Sequence, residues 1–281
     1  MKGFQIIDYG SNLLKSKQIK SYKLDSELIL AKVLNKSREE LLTNLQNKID
    51  FNKLNKFKNL INRRKLNEPI AYIFKNKDFW KSSFKVSKDV LIPRPETEII
   101  VEEVLKLTDN DTSKRLLDVG TGSGCIIISI KKERPKLYVT GIDISKKALK
   151  TAICNAKMHH LLNKIKFINI DIDKFKDYKY DFIVSNPPYI NDYNIKRLDI
   201  NVKQFEPLIA LRAGNDGLKV IKKLILKSKK LLKRNGILIF EIGENQETKV
   251  RELLMKNRYY INKVCKDIRS VPRVVISTKL F

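Results

Sequence analysis

The sequence lacks several features that particular protein classes require. It has no apolar run of about 18 residues, so no transmembrane helix is predicted, and Asp8 follows the N-terminal Met1–Gln5 where a secretory signal would be apolar. Its three cysteines, Cys125, Cys154 and Cys265, are far apart and form no C-x-x-C pair. A disulfide framework or a zinc site is therefore not expected, and a reducing cytoplasm is the predicted location.

Acidic residues are scarce relative to basic ones. The 281 residues include 58 Lys and Arg against 31 Asp and Glu, which gives a formal net charge of +27. A basic surface attracts phosphates, so the charge permits a nucleic-acid partner. However, lysine is spread along the whole chain and no single basic block dominates. Association with an RNA-containing assembly or with an acidic protein both remain open.

The first part of the chain has helix patterns and no strand pattern. Ser37–Glu40 has the spacing of a capping box ahead of an apolar run, and Leu24–Leu34 carries apolar residues near helical spacing. Lys53–Arg64 predicts a basic helix with one apolar stripe, which we interpret as a solvated face over a core, with partner recognition as the alternative. Residues 1–75 are therefore predicted to form a small helical domain.

A different pattern follows, in which short apolar and aromatic runs alternate with turn residues. We predict short strands here, at Glu68–Ile73, Phe79–Trp80, Phe84–Val86 and Val90–Ile92, and a β-hairpin linker over residues 76–95. Pro93 and Pro95 hold the backbone extended ahead of a helix that begins near Glu96. This rigid segment can serve as spacing between domains or form one wall of a pocket.

From about residue 113 onward, strand patterns alternate with helix patterns. The predicted strands are 115–119, 138–142, 165–170, 182–184, 236–242, 259–265 and 271–278, and the predicted helices are 123–132, 146–158, 218–232 and 246–255. Such alternation predicts a doubly wound parallel sheet. The fold class is therefore α/β, with a Rossmann-like seven-stranded sheet in residues 96–281, a small N-terminal helical domain and a β-hairpin linker.

The apolar run Phe182–Val184 stops abruptly on Asn186, Pro187, Pro188 and Tyr189. Consecutive prolines lack the N–H groups that continue a strand ladder, so the chain must leave the sheet at Asn186. Ligands of open α/β sheets collect outside the carboxyl ends of the strands. The sequence therefore predicts a ligand site at this turn.

This turn suits a substrate that carries an amino or amide nitrogen. A planar NH2 group has two donors, and the Asn186 side-chain oxygen and the Pro187 carbonyl can accept both. Pro188 brings no competing donor to that carbonyl, and Tyr189 offers a flat face for a planar group. The alternative is a proline-rich turn whose tyrosine packs in the core.

A second candidate site is the glycine-rich loop Gly120-Thr121-Gly122-Ser123-Gly124, between a predicted strand and a predicted helix. Glycines let the backbone turn tightly and let a ligand approach the main chain. Asp143 ends the next strand, where a carboxylate can accept hydrogen bonds from ribose hydroxyls. Cys125 stands where a dinucleotide-binding loop needs its third glycine, so a nicotinamide enzyme is not favoured.

Together these stretches resemble a known family. Gly120-x-Gly122-x-Gly124 resembles the first motif of S-adenosylmethionine-dependent methyltransferases, and Asn186–Tyr189 resembles the (Asn/Asp)-Pro-Pro-(Tyr/Phe) motif of those that methylate NH2 groups. The match narrows to the HemK/PrmC family, the glutamine methyltransferases of peptide chain release factors. The stretches that narrow it are Arg64 with Glu68–Ile73, Ile92–Glu98, Ser185–Ile190 with Phe205–Pro207, Asp216–Leu218, Glu241–Gly243 with Gln246, and Asp267 with Arg273–Val275.

The resemblance implies methyl transfer from S-adenosylmethionine to the side-chain amide nitrogen of the glutamine in the Gly-Gly-Gln tip of class I release factors. It implies no metal and no side-chain nucleophile, and His159 and His160, at a predicted helix end, are expected to be exposed. The implied cofactor-binding residues are Gly120, Thr121, Gly122, Ser123, Gly124, Asp143, Asp171, Ile172 and Asn186. The implied substrate-binding residues are Asn186, Pro187, Pro188 and Tyr189, of which Asn186, Pro187 and Tyr189 are also assigned to catalysis.

Some positions depart from the family pattern, and other functions compete. Lys75 stands where a glycine is expected and Ile172 where some relatives have a bulky aromatic residue; Asp171 can also be an ordinary residue at a strand end. The competing functions are a glutamine methyltransferase of a ribosomal protein, an N6-adenine or N4-cytosine methyltransferase, and a binding protein with a degraded site. Since no inserted target-recognition domain is apparent, a nucleic-acid substrate is not expected. Since the sequence has no long apolar run, a membrane partner is not expected either.

Overall fold

The computed structural model describes residues 1–111, 113–177 and 179–280, so residue 281, the predicted end of the last domain, lies outside it. The described chain divides into two compact units. The first comprises Met1–Lys75 and Asp199–Phe205, and the second comprises Asn76–Leu198 and the chain from Glu206 onward. The first unit thus includes a short segment from the range that the sequence analysis assigned to its last domain.

The helices and strands are named in chain order. The helices are α1 (Gly3–Lys15), α2 (Tyr22–Leu34), α3 (Arg38–Thr43), α4 (Phe51–Lys65), α5 (Ile70–Phe74), α6 (Glu98–Lys106), α7 (Cys125–Glu133), α8 (Lys146–Met158), α9 (Asp192–Ile195), α10 (Ile200–Phe205), α11 (Lys219–Leu231) and α12 (Glu247–Lys256). The strands are β1 (Asn76–Phe79), β2 (Ser82–Lys85), β3 (Arg115–Val119), β4 (Tyr138–Asp143), β5 (Ile165–Asn169), β6 (Tyr180–Ser185), β7 (Leu232–Glu241), β8 (Tyr259–Lys266) and β9 (Pro272–Lys279).

The first unit is helical, as predicted, and packs around apolar faces of α1, α2 and α4. The predicted capping box opens α3: Glu40 N donates to Ser37 Oγ over 3.1 Å, and Ser37 N donates to Glu40 Oε2 over 2.8 Å. Arg64 on α4 makes a buried ion pair with Asp25 on α2, with 2.7 Å between Nε and Oδ2. Because a buried charge without its partner is costly, this pair fixes how α4 sits on α2.

The predicted strand at Glu68–Ile73 is wrong, because Ile70–Phe74 forms α5. The Pro69 carbonyl accepts the N–H groups of Tyr72 and Ile73, so the helix begins directly after this proline. The helix ends at Lys75, whose φ of +57° is in the left-handed region that favours the glycine expected there. A short apolar run is compatible with either type of element, so the pattern alone could not decide.

The predicted hairpin forms from β1 and β2, which pair antiparallel. The further short strand expected around Val90–Ile92 is wrong, since the described chain continues there without regular strand structure. The helix predicted near Glu96 is confirmed: a 3₁₀ turn at Pro95–Thr97 leads into α6. After a turn at 88–90, Arg94 between the two prolines has an extended backbone, as the prolines require.

The second unit contains the predicted α/β sheet of seven strands, in the order β5-β4-β3-β6-β7-β9-β8. The first five strands in this order pair parallel, as predicted, whereas β9 is antiparallel to both neighbours, so the parallel part of the sheet ends at β7. Only Asp267–Val271 separates β8 from β9. A parallel neighbour needs a crossover of a dozen or so residues, so the short connection forces a hairpin.

The strand order places two loops side by side. From β3 the chain moves outward to β4 and β5, and then returns to build β6 and β7 on the other side. Val119, the last residue of β3, pairs with Ser185, the last residue of β6, and Ser185 Oγ donates to Val119 O over 2.7 Å. The loops that start at Gly120 and Asn186 therefore leave the sheet together, at its topological switch point.

No helix in the described part of the chain is long and apolar enough to cross a membrane.

Two glycines of the loop between β3 and α7 differ in the room around them. Gly120 and Gly124 have φ of +72° and +80°, a region that costs an L side chain energy. A Cβ atom on Gly124 would lie 3.0 Å from Ile128 Cδ1 and 3.2 Å from Ala152 Cβ, whereas a Cβ on Gly120 would meet nothing within 4 Å. Gly124 thus lets α7 pack closely against α8.

We therefore expect Gly124→Ala to destabilise the chain more than Gly120→Ala does. Both alanines incur about 1–2 kcal/mol for the left-handed backbone, and only Gly124→Ala adds an overpacking cost of about 1–3 kcal/mol. Urea unfolding of the two variants and the wild type measures both free energies of unfolding. Equal losses would show that the space between α7 and α8 adjusts without cost.

Candidate active site

A cavity of about 290 Å³ opens at the carboxyl ends of β3, β4 and β6. Ten of the predicted site residues line it: Gly120, Thr121, Gly122, Ser123, Asp143, Asp171, Ile172, Asn186, Pro187 and Pro188. The fold thus brings the glycine loop and the proline turn to one cavity. Gly124 and Tyr189 are not among the lining residues, because Gly124 faces α8 and Tyr189 turns toward β7.

The glycine loop is tied to the end of β4. Asp143 Oδ2 accepts from Gly122 N over 2.9 Å, and its Oδ1 accepts from Ser145 N over 2.8 Å. The N–H groups of Gly120 and Thr121 both donate to Ile142 O. Burial raises the pKa of the Asp143 carboxyl above its usual range. The Asp143 carboxylate therefore lies beside the loop, and its oxygens can accept further hydrogen bonds from hydroxyl groups.

Asp118 supports the same loop from inside the sheet, and the sequence analysis did not single it out. It is fully buried on β3, and Thr121 Oγ1 donates to its Oδ2 over 2.7 Å. Its Oδ1 has no hydrogen-bond partner among the described residues. Burial, together with the charge of Asp143, raises the pKa of Asp118 to about 7. Asp118 could have been identified from the sequence, because a carboxylate inside the apolar run of a strand is unusual.

Asp171 shares its carboxylate with a lysine that the sequence analysis missed. Lys223 Nζ lies 2.7 Å from Asp171 Oδ1 and 2.8 Å from its Oδ2, and Lys223 also lines the cavity. Asp173 N donates to Oδ1 as well. Next to this pair, Ile172 and Leu224 contribute apolar wall. This end of the cavity suits a flat, largely apolar group with a polar edge.

The backbone of the proline turn is held from behind by Gln246. Its Nε2 donates to the carbonyls of Tyr189 and Gly217, at 3.0 Å each, while its Oε1 accepts from Gly243 N over 2.9 Å. A Cβ on Gly217 would lie 2.7 Å from the Tyr189 carbonyl oxygen. A glycine is therefore needed beside this turn, and the turn is fixed in place by side-chain and backbone contacts alike.

The two ends of the turn lead to one buried carboxylate, Glu241 at the end of β7. Tyr189 Oη donates to Glu241 Oε1 over 3.0 Å, and Thr97 Oγ1 donates to Glu241 Oε2 over 2.6 Å. Asn186 Nδ2 in turn donates to Thr97 Oγ1 over 2.9 Å. Burial raises the pKa of Glu241 to about 7, an effect that these two donors and the charge of Arg273 oppose. Burial and the Glu241 charge also raise the pKa of Tyr189.

The proline-rich segment ahead of α6 forms a wall of the cavity, the second of its two predicted roles. Pro93 and Arg94 line the cavity, as does Pro207 on a neighbouring loop. Arg94 Nη2 pairs with Glu206 Oε1 over 2.5 Å, and Glu206 Oε2 accepts from Ile92 N over 3.2 Å. The buried Glu206 carboxylate therefore joins the two lining segments.

The expectation that His159 is exposed is wrong. It is half-buried at the end of α8, its Nε2 lies 3.0 Å from Ser83 O, and its ring packs 5.0 Å from that of Phe84. His160 is exposed. His159 thus packs against the β1–β2 hairpin, away from the cavity.

Comparisons with known proteins match both parts of the chain. The family model "PrmC N-terminal domain" matches residues 5–74, and "Methyltransferase small domain" matches residues 96–204. The catalytic domain of hMettl16 superposes with a TM-score of 0.55 at 19% identity, covering 70% of this chain and 75% of that one. A methyltransferase from Pyrococcus furiosus gives 0.52 at 15% identity, covering 70% and 89%. At such identities these structures show a shared fold.

Curated relatives are more similar. A "Bifunctional methyltransferase" of Rickettsia felis is 35% identical over 97% of this chain and 57% of its own length. The "Release factor glutamine methyltransferase" of Thermodesulfovibrio yellowstonii is 40% identical over 79% of this chain and 80% of its own. That of Clostridium acetobutylicum is 37% identical over 95% of both chains. With that identity over nearly its whole length, the chain belongs to the family of release factor glutamine methyltransferases.

Proposed function

We propose that this chain transfers the methyl group of S-adenosylmethionine to the side-chain amide nitrogen of a glutamine in a class I peptide chain release factor. The observation that carries the proposal is the single cavity lined by both the glycine loop and Asn186–Pro188. A cofactor loop and a turn that can hold an NH2 group meet there, on a chain whose family acts on release factor glutamine. The target is the glutamine of the Gly-Gly-Gln motif.

The residues of the cavity fit the cofactor. Gly120 has open space where a side chain would be, so a ligand can approach the main chain of the loop. Asp143 is placed to accept from ribose hydroxyls, and Ile172 provides apolar wall for the adenine. Asp171, which forms an ion pair with Lys223, contributes its carboxylate to the same cofactor site. When bound, S-adenosylmethionine supplies an electrophilic methyl group on a positively charged sulfur.

The proline turn handles the substrate. An amide nitrogen is a poor nucleophile because its lone pair is delocalised into the carbonyl. Asn186 Oδ1 and Pro187 O together can accept both protons of the glutamine NH2, which orients the nitrogen and favours the positive charge that develops on it. Pro188 lines the cavity beside them. Tyr189 supports the turn from behind through Glu241, so its contribution to catalysis is indirect.

The rest of the chain is assigned roles by the same proposal. Residues 1–75 form a helical domain that recognises the release factor, residues 76–95 form the linker, and residues 96–281 form the catalytic domain. The direct methyl acceptor is then a protein and not a nucleic acid. The net charge of +27 is then available for docking on an acidic partner.

The direct test incubates the purified chain with radiolabelled S-adenosylmethionine and a class I release factor. We expect label on the wild-type factor and none on a variant whose Gly-Gly-Gln glutamine is replaced, because the cavity presents acceptors for one amide NH2. Ribosomal protein and DNA serve as parallel substrates. Label on either of these instead of the factor would keep the cofactor site and overturn the choice of substrate.

Asn186→Ala should abolish transfer while the cofactor still binds. The change removes one of the two acceptors for the amide protons and leaves the glycine loop intact, so we expect kcat to fall by about 10²-fold or more. Asn194→Ala, on the exposed face of α9, is the matched control. Transfer rates and calorimetric cofactor affinity are measured for both. An Asn186→Ala variant with wild-type kcat would remove the role assigned to Asn186.

Asp143→Ala should weaken cofactor binding. It removes a carboxylate that holds Gly122 and Ser145 and that faces the ribose, and hydrogen bonds to charged groups contribute about 1.5–3 kcal/mol, so Kd should rise by about 10- to 100-fold. Asp181→Ala is the control, because Asp181 lies at the amino end of β6, whereas the cavity opens at the carboxyl ends of the strands. Isothermal titration with S-adenosylhomocysteine gives Kd. Equal affinities in both variants would place the ribose elsewhere.

A further inference from the structure

A continuous series of hydrogen bonds joins three separate stretches of sequence to the acceptor site. Glu241 at the end of β7 and Thr97 ahead of α6 are 1% and 2% exposed, and Thr97 Oγ1 lies 2.6 Å from Glu241 Oε2. Asn186 Nδ2 lies 2.9 Å from the same Thr97 oxygen. Thr97 lines the cavity beside Asn186, whereas Glu241 is not among the lining residues, and the hydrogen bonds of both lead to the Asn186 side chain.

The chemistry of these groups sets the direction of each hydrogen bond. An ionised carboxylate only accepts, so Thr97 must give its single hydroxyl hydrogen to Glu241. The Thr97 oxygen is then an acceptor only, and the group it receives from must be the NH2 of Asn186. With the amide turned over, Asn186 Oδ1 would face the Thr97 oxygen with no hydrogen between them. The series therefore permits one orientation of the amide.

That orientation is the one the reaction needs. With Nδ2 directed at Thr97, Asn186 Oδ1 is the atom left to accept a proton of the substrate NH2. The opposite orientation would present a donor to a donor. Resting on the proposed function, we propose that Thr97 and Glu241 are positioning residues, which act through Asn186 by fixing its amide with the oxygen toward the glutamine.

The surroundings of Glu241 support its role as a fixed acceptor. Tyr189 Oη donates to its second oxygen over 3.0 Å, so one carboxylate holds both ends of the Asn186–Tyr189 turn. Burial disfavours the ionised form of Glu241, and the donors from Thr97 and Tyr189 together with the charge of Arg273 oppose that effect. Arg273 is itself fixed by Asp267, 2.9 Å away. Two other chain segments, at Thr97 and Glu241, are thus linked by hydrogen bonds to the amide of a single asparagine.

The test compares two substitutions of nearly equal size at Thr97, assayed well above the pKa of Glu241. Thr97→Val replaces the hydroxyl by a methyl group and leaves the Asn186 amide free to turn, so kcat on the release factor should fall by about tenfold to a hundredfold. Thr97→Ser keeps the hydroxyl and should stay within about threefold of the wild type. S-Adenosylhomocysteine affinity, measured by calorimetry, should be unchanged in both.

A matched control separates this effect from the loss of any buried hydroxyl. Thr108 is 4% exposed in the same unit, and its Oγ1 donates to Val104 O over 2.7 Å. Thr108→Val should therefore lower the melting temperature without lowering kcat. If the melting temperature of Thr97→Val is well below that of Thr108→Val, Thr97→Ala replaces it. Thr97→Ala also lacks the hydroxyl but introduces no new methyl group, so its kcat is compared with that of Thr97→Ser.

The results separate a failure of the proposed function from a failure of the positioning role of Thr97 and Glu241. A wild-type chain that does not label the release factor would overturn the proposed function itself. A wild type that labels it, with Thr97→Val as active as Thr97→Ser, would overturn only the positioning role. A Thr97→Val variant that loses cofactor affinity in step with kcat would also overturn it, because Thr97 would then serve the structure of the cavity.

Discussion

The parallel pairing of β3 with β6 is the constraint on which the site depends. Val119 pairs with Ser185, and the Ser185 hydroxyl adds a hydrogen bond to the Val119 carbonyl. A shift of this register would move Gly120 and Asn186 apart along the sheet and reverse the faces of the flanking side chains. The pairing therefore brings a backbone that can approach a nucleoside next to a turn that can hold an amide.

The site carries an energetic cost that its hydrogen bonds partly offset. Asp118 and Glu241 are buried, and burial raises both pKa values to about 7, above their ordinary values of 3.8 and 4.5. A carboxyl group that is more easily protonated when folded favours the folded state at low pH, and that contribution is lost as the pH rises through about 7. Donors from Thr97, Thr121 and Tyr189 limit the loss. Two buried carboxyl groups are thus kept in the site at the expense of stability at neutral and higher pH.

Much of this fold follows from local pattern. The predicted strand 115–119 and helix 146–158 agree with β3 and α8 residue by residue, because apolar spacing and flanking turn residues act over short distances. The errors have a different origin. The run at Glu68–Ile73 fits helix or strand. The antiparallel direction of β9 could have been inferred from the few residues between the predicted strands 259–265 and 271–278, which are too few for a parallel crossover. The hydrogen bond between Thr97 and Glu241 joins residues 144 positions apart, so no local sequence pattern could predict it.

The residues of the asparagine-proline-proline-tyrosine motif have two different roles. Asn186–Pro188 line the cavity and can meet the substrate, whereas Tyr189 turns back to Glu241 and Gln246. A phenylalanine in place of Tyr189 could fill the same space but could not donate to the carboxylate. A site whose reactive contacts lie on a loop gains its accuracy from side chains anchored at strand and helix ends. Here Glu241 at the end of β7 and Thr97 at the start of α6 supply that anchorage.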